Sequence, residues 1–385
     1  MPWKVTDPML QRAQFIALHE EGLFSMSELC QRFGIARKTG YKWLERYQHG
    51  GLDALQEKSR APLTCPHQTP THIEEALLAA RHAHPTWGPK KLLAYLAKRR
   101  PDIAQALPAP STVGEILKAA GLTQPRKRPA RTWTHPGQVP LSTTAPNQVW
   151  CADFKGQFPT QDGIDCYPLT ITDAHSRFLL CCHALPSVRQ EGVFPVLKRV
   201  FAQYGLPDAI RTDNGVPFAT RAICGLSQLS VWWIKLGIAH QRIVPGQPQQ
   251  NGRHERMHKT LKRETARPPQ KDHKAQQARF DAWRAEFNDE RPHEALGQQT
   301  PGSLYTPSSR PLPKTLPAPV YPGHFQVRQV SKSSMFRFNH RQVFLSEALI
   351  DEHIGLEEVE DGLWSIYFYN VLLGRLDERD YKIRG

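Results

Sequence analysis

QQNGRHERMHKTLKRE, residues 249–264, reads as a basic helix with one acid near its start. Glu255 stands among seven lysine, arginine and histidine side chains, Arg253 to Arg263. Two readings compete. In the plainer one Glu255 forms a surface ion pair with Lys259 one turn on, worth about 0.3 kcal/mol. In the other, the basic rim meets phosphates and Glu255 holds a cation. Residues elsewhere in the chain decide between them.

Working outward, two more acids occupy strand ends. Asp153 lies in QVWCADFKGQF (148–158), and Asp213 follows the short strand AIRT (209–212) and opens a DNG turn. From residue 147 the texture is that of strands followed by alternating strands and helices. YPLTITDAHSRFLLCCHAL (167–185) supplies strands, helices are expected over about 188–204, 217–236 and 275–290, and HQRIVP (240–245) supplies another strand. That order implies an α/β domain with a mixed sheet over 147–305. In such a sheet the segments carrying Asp153, Asp213 and Glu255 converge at one edge, where ligands commonly bind. Three oxygen donors favour a hard cation, Mg²⁺ or Mn²⁺. Clustered carboxylates repel one another without one. Asp173 is a further strand-end acid, better read as capping a turn than as a fourth metal neighbour. No zinc is expected: His82 and His84 lack cysteines at finger spacing, and His254 and His258 lack a third ligand nearby in sequence.

Upstream, residues 1–62 read as a helix-turn-helix. SMSE (25–28) is a capping box, the helix it opens stops at Gly34, and the next carries Gly40, Trp43, Leu44 and Tyr47 on one face. Arg37, Lys38, Tyr41, Lys42 and Arg46 are left for the major groove of DNA. Residues 63–122 read as a second helical, helix-turn-helix-like module. Thr71 and Glu74 form another capping box there, Gly121 is a C-cap, and Lys90, Lys91 and the Lys98–Arg100 run are open to phosphates. Residues 123–146 form a basic, proline-rich linker whose Arg126, Lys127, Arg128 and Arg131 suit a duplex backbone. A second proline-rich linker spans 306–322. Residues 323–385 read as short strands, with turns at Asn339-His340 and Asp361-Gly362, forming a small β-barrel.

The bulk numbers agree with a polyanionic partner. The formal charge is +14, with an excess of nine positive charges over residues 1–140, five over 141–300 and none over 301–385. Seven cysteines without a Cys-x-x-Cys pair fit a reducing compartment. Neither a signal peptide nor a membrane-spanning apolar run is apparent, so a cytoplasmic, nucleoid-associated protein is expected, with no membrane partner.

WCADFKG, IRTDNGVPF and PGQPQQNGRHERMHKTLK resemble the three acidic motifs of the retroviral-integrase-like core. With SMSELCQRFGIARKTGYKWLERY ahead of them and FNDERPHEALGQQTPGSLY behind, the chain resembles single-frame bacterial insertion-sequence transposases over about residues 1–305. The resemblance implies a ribonuclease-H-like fold with Asp153, Asp213 and Glu255 as catalytic, metal-binding triad. It implies two Mg²⁺ ions per site, replaceable by Mn²⁺ and about 4 Å apart. The implied reaction is hydrolysis at the terminal inverted repeats of the element, then attack of the freed 3′-OH on target DNA. Lys259 and Lys262, on the face of Glu255, would touch the DNA backbone near the active site. Joining two ends implies at least a dimer on double-stranded DNA. The alternatives are a catalytically inactive DNA-binding regulator of the element and a ribonuclease-H-like nuclease that only hydrolyses. The intact acidic triad argues against the first, and the two DNA-binding modules against the second.

Overall fold

The computed structural model describes residues 7–59, 68–123, 143–220, 223–243 and 252–384. Arg126, Lys127, Arg128 and Arg131 lie outside the described residues. The chain divides into two compact units, residues 1–69 and 70–385.

The first unit contains α1 (Pro8–Glu20), α2 (Met26–Arg32) and α3 (Arg37–Gly50). The Ser25–Glu28 capping box forms: the Ser25 amide donates to Glu28 Oε2 at 2.8 Å, and the Glu28 amide donates to Ser25 Oγ at 3.4 Å. Phe15, Ile16, Leu29, Cys30, Trp43 and Leu55 make its core. Gly40 sits where α3 crosses α2. A Cβ there would lie 2.7 Å from Cys30 Sγ, so only glycine permits this approach.

The second unit opens with α4 (Thr71–Ala83), α5 (Pro89–Arg99) and α6 (Pro110–Ala119), packed around Ile73, Leu77, Trp87, Leu92, Val113 and Leu117. Here the expected capping box at Thr71 does not form. Thr71 is already the first helical residue, Pro70 occupies the cap, and no side chain caps the helix. Gly121 does end α6, with φ of 69° and its amide donating to the Lys118 carbonyl.

The mixed sheet comprises β1 (Val149–Phe154), β2 (Phe158–Pro159), β3 (Asp165–Asp173), β4 (Leu179–Leu185), β5 (Ala209–Thr212) and β6 (Ala239–Arg242). β3 pairs antiparallel with β1, β2 and β4, while β5 runs parallel to both β1 and β6. Helices cover both faces. On one, α7 (Gln190–Tyr204) and α8 (Gln228–Lys235) pack with Trp150, Ala152, Leu169 and Ile171. On the other, α9 (Gly252–Thr265) and α10 (His273–Ala285) bring Met257, Leu261, Phe280 and Trp283 against Cys166, Leu179 and Cys182. Side chains alternate along a strand. Trp150 and Ala152 face α7 and α8, so Asp153 faces α9, and the register sets Thr170 directly opposite it. Of the helix expected over 217–236, the described residues form an α-helix at Gln228–Lys235, capped by Ser227, and a short 3-10 turn at Ile223–Gly225.

The last strands are β7 (Gln326–Gln329), β8 (Met335–Phe338), β9 (Arg341–Phe344), β10 (His353–Glu360), β11 (Leu363–Phe368), β12 (Val371–Asp377) and β13 (Lys382–Arg384). They form a five-stranded antiparallel sheet, in the order β13-β12-β11-β10-β7, and a separate β8–β9 ribbon. Phe336, Phe338 and Val343 of the ribbon share one apolar cluster with Ile354, Ile366 and Phe368 of the sheet. Val231 and Ile234 of α8 join that cluster, and Lys235 Nζ donates to Glu352 Oε1 at 2.6 Å beside it. No helix among the described residues is long and apolar enough to cross a membrane.

Candidate active site

The three acids reach one place from three elements. Asp153 stands near the end of β1, Asp213 directly follows β5, and Glu255 lies in the first turn of α9. β1 and β5 are parallel neighbours, so their ends bring Asp153 and Asp213 to the same sheet edge. The Asp153 carboxyl is raised to about 7, first by burial, then by the charges of Asp213 and Glu255. Asp213 is steadied by its own turn: Oδ1 accepts from the Gly215 amide at 3.1 Å. A Cβ on Gly215 would lie 3.1 Å from Asp213 Oδ2, so the glycine leaves that carboxylate its room. Asn214 Nδ2 donates to the Ile243 carbonyl at 2.8 Å, tying the turn to the segment after β6. The donor set fits a divalent cation. Three carboxylates, one of them raised by burial and then by the charge of the other two, are relieved by a positive ion.

Beside the acids lies a cleft of about 670 Å³, lined by Lys155, Glu255, Arg256, His258, Lys259, Lys262, Arg263 and Arg267. Both Lys259 and Lys262 are therefore on the Glu255 side of α9, as their spacing requires. Arg256 and Arg263, already part of the basic run around Glu255, line the same rim, and Lys155 and Arg267 join them from outside that run. Asp173 has a different role. Its Oδ2 accepts from the Ser176 amide at 2.7 Å and the Ser176 hydroxyl at 2.6 Å, and its Oδ1 accepts from the Asn147 amide at 2.8 Å. It caps the β3–β4 turn.

Behind the acids is a cluster missed in the sequence. Asp153, His254 and His258 offer ligand atoms within 4.8 Å of one another. Asp153, 101 residues before His254, is the third ligand that the histidine pair lacked in linear sequence. Both imidazoles are buried, and burial holds them at about 3 and about 2, so both are neutral. The signal was present as Glu255-Arg-Met-His258, since residues three apart on a helix share a face.

The other expected contact residues separate into two groups. On α3, Arg37, Lys38, Tyr41 and Lys42 are exposed, while Arg46 is half-buried with its guanidinium 4.8 Å from the centre of the Trp43 ring. On α5 the basic side chains are exposed or half-buried, and several are paired with acids. Lys90 Nζ is 2.6 Å from Glu294 Oε1. Lys91 is half-buried and brought down to about 8, first by burial and then by the charge of Arg291. Arg99 Nη2 pairs with Glu290 at 3.0 Å, and Arg100 with Asp102 at 2.7 Å. Lys90 and Arg99 thus meet acids of the segment closing the core, while their side chains stay exposed.

Comparison with known proteins agrees with this layout. Residues 143–248 and 236–301 match families described as Integrase core domain. Residues 11–62 match a Helix-turn-helix domain and residues 39–117 a Homeodomain-like domain. The chain is 26% identical over 263 residues to the insertion element IS476 uncharacterized 39.2 kDa protein of Xanthomonas euvesicatoria, covering 67% of this chain and 72% of that one. It is 27% identical over 190 residues to the insertion element IS407 uncharacterized 31.7 kDa protein of Burkholderia multivorans, covering 49% and 66%. The HTLV-2 integrase catalytic core domain in complex with magnesium aligns with 42% of this chain and 98% of its own, at 14% identity and a TM-score of 0.34.

Proposed function

We propose that this chain, an integrase-core protein with helix-turn-helix domains, is an insertion-sequence transposase with Asp153, Asp213 and Glu255 as its catalytic triad. The observation that supports the reading is the convergence of Asp153, Asp213 and Glu255, from β1, β5 and α9, beside a basic cleft. Carboxylates crowded to that degree are costly unless a cation is bound.

The three acids would hold divalent ions, Mg²⁺ or Mn²⁺, two per site. Bound there, such ions supply activation of the attacking oxygen and neutralisation of charge on the leaving oxygen in an in-line displacement. Lys259 and Lys262 bind the DNA backbone at the cleft, aided by Lys155 and Arg256. Arg37, Lys38, Tyr41, Lys42 and Arg46 read the terminal inverted repeats from α3. Water attacks at each element end to free a 3′-OH, and that hydroxyl then attacks target DNA. Two ends require at least two subunits. The neutral C-terminal sheets, taken as a small barrel, serve subunit contact. Such a protein works on the nucleoid, in the cytoplasm.

The test is strand transfer. Purified protein, a labelled duplex carrying the DNA that flanks its gene, a target plasmid and Mg²⁺ or Mn²⁺ are incubated together. Joined product is expected with the natural chain and none with Glu255→Gln. End binding without joining by either protein would replace this reading with that of a DNA-binding regulator. Cleavage without joining would replace it with that of a nuclease.

A further inference from the structure

The Thr170 hydroxyl touches three groups at once. Its Oγ1 is 3.1 Å from the Asp153 carbonyl oxygen, 2.7 Å from His254 Nε2 and 2.7 Å from His258 Nε2. A hydroxyl has one proton and two lone pairs. The Asp153 carbonyl only accepts, so all three contacts are satisfied together in one arrangement. Thr170 donates to that carbonyl, and both imidazoles donate their Nε2–H to Thr170. This tautomer assignment follows from the network. It leaves a lone pair on each Nδ1. That of His254 is met by the Thr172 hydroxyl, at 3.1 Å. That of His258 faces Asp153 Oδ2 at 3.8 Å.

A nitrogen lone pair facing a carboxylate oxygen calls for something positive between them. A proton alone does not suit, because 3.8 Å is beyond hydrogen-bond reach. A metal ion does suit. Two ligand atoms each about 2.1 Å from one ion stand up to roughly 4.2 Å apart. His258 also shares the cleft with Glu255, three residues before it on α9.

We propose that His258, through Nδ1, is a nitrogen ligand of the divalent ion held by Asp153, so that the centre has a mixed oxygen and imidazole donor set and takes Mn²⁺ in preference to Mg²⁺. The inference rests on the acidic site proposed above. An imidazole favours transition ions over Mg²⁺, which prefers all-oxygen ligands. His254 is a positioning residue: with both ring nitrogens engaged by Thr170 and Thr172, it holds the hydroxyl that orients His258.

The test is made on the full chain with Mn²⁺ alone. Electron paramagnetic resonance counts the bound ion, and its pulsed form reads coupling to nearby nitrogen nuclei. The natural protein is expected to bind Mn²⁺ with a ¹⁴N coupling that becomes ¹⁵N when the histidines are ¹⁵N-labelled. Asp153→Asn removes the bound ion. His258→Gln loses the coupling and weakens Mn²⁺ binding about tenfold or more, with a smaller change for Mg²⁺. His254→Gln keeps the coupling. Bound Mn²⁺ that depends on Asp153 but shows no nitrogen coupling overturns the role of His258 and leaves the acidic site standing. No bound Mn²⁺ overturns both. Coupling that survives His258→Gln and disappears in His254→Gln overturns the assignment to His258. The labelled natural protein decides the matter even if a variant fails to fold.

Discussion

Arg291 grips Glu264 with both arms of its guanidinium: Nη1 donates to Oε2 and Nη2 to Oε1, each at 2.8 Å. Glu264 sits in the last turn of α9, the helix that carries Glu255, and Arg291 lies in the segment that closes the core. Trp283 Nε1 donates to Glu264 Oε2 at 2.6 Å, and the Thr86 hydroxyl donates to Oε1. Thr86 belongs to the turn between α4 and α5, so one largely buried carboxylate joins the second helical module, α9 and the end of the core.

Removing one partner of that pair strands a buried charge. Arg291→Ala is expected to destabilise the 70–385 unit by about 3–5 kcal/mol. Glu264→Ala should cost a similar amount, and the double variant less than the sum. Urea unfolding followed by tryptophan emission checks this, because Trp87 and Trp283 border the pair. Additive costs would mean that the two residues act separately. The pair also sets an acid limit. Burial pushes the Glu264 carboxyl up, but hydrogen bonds and charge from Arg291, with Thr86 and Trp283, outweigh it and hold it at about 2 against an ordinary 4.5. Its contribution is therefore present above pH 4.5 and is lost as pH falls through about 2.

Asp153 has the opposite sign. Its pKa of about 7 in the folded chain, against an ordinary 3.8, means that the unfolded chain releases this proton first. Stability from this group is complete below pH 3.8 and is lost as pH rises through about 7. Asp153→Asn should accordingly melt higher than the natural protein at pH 8 without metal, by about 2–4 °C per kcal/mol relieved, and alike at pH 3.5. Mn²⁺ should raise the melting temperature of the natural chain at pH 8 more than at pH 6, and leave Asp153→Asn unmoved. Equal metal stabilisation of both proteins would place the ion elsewhere.

On α3, Arg37→Ala or Lys42→Ala should weaken binding to the element ends. Each should lower the slope of log affinity against log salt by about 1. Metal-dependent hydrolysis of a non-specific duplex should persist. Filter binding over a salt series and a nicking assay measure the two effects, and equal loss of both activities would end this division of labour.

Gly40→Ala tests the crossing of α2 and α3. The new Cβ would meet Cys30 Sγ at 2.7 Å, and Met26 Sδ and Phe15 Cζ at 3.0 Å. The 1–69 unit should lose about 1–3 kcal/mol. Thermal unfolding monitored through Trp43 and end binding should fall together; an unchanged melt would show that the helices move apart freely.

Much of this layout is legible from neighbours in sequence. The Ser25–Glu28 box, the Gly40 and Trp43 face of α3, and the strands that deliver Asp153 and Asp213 rest on interactions within a few residues, or on side-chain periods of 2 and 3.6. Those signals are local, so they survive without knowledge of the fold. Local chemistry misled at Thr71, where Pro70 took the cap, and at 217–220, where no α-helix forms.

What could not be read locally are the pairings between distant segments. Lys90 meets an acid 204 positions away, Lys91 is half-buried and feels the charge of Arg291, and Thr170 meets His258 at a separation of 88. A surface lysine open to phosphate and one turned against a neighbouring domain have the same local pattern. Desolvation and charge pairing distinguish them only after the layers pack. The same holds for the histidines of α9: their spacing puts them on a helix, but the register of β1 with β3 sets Thr170 and Asp153 against them.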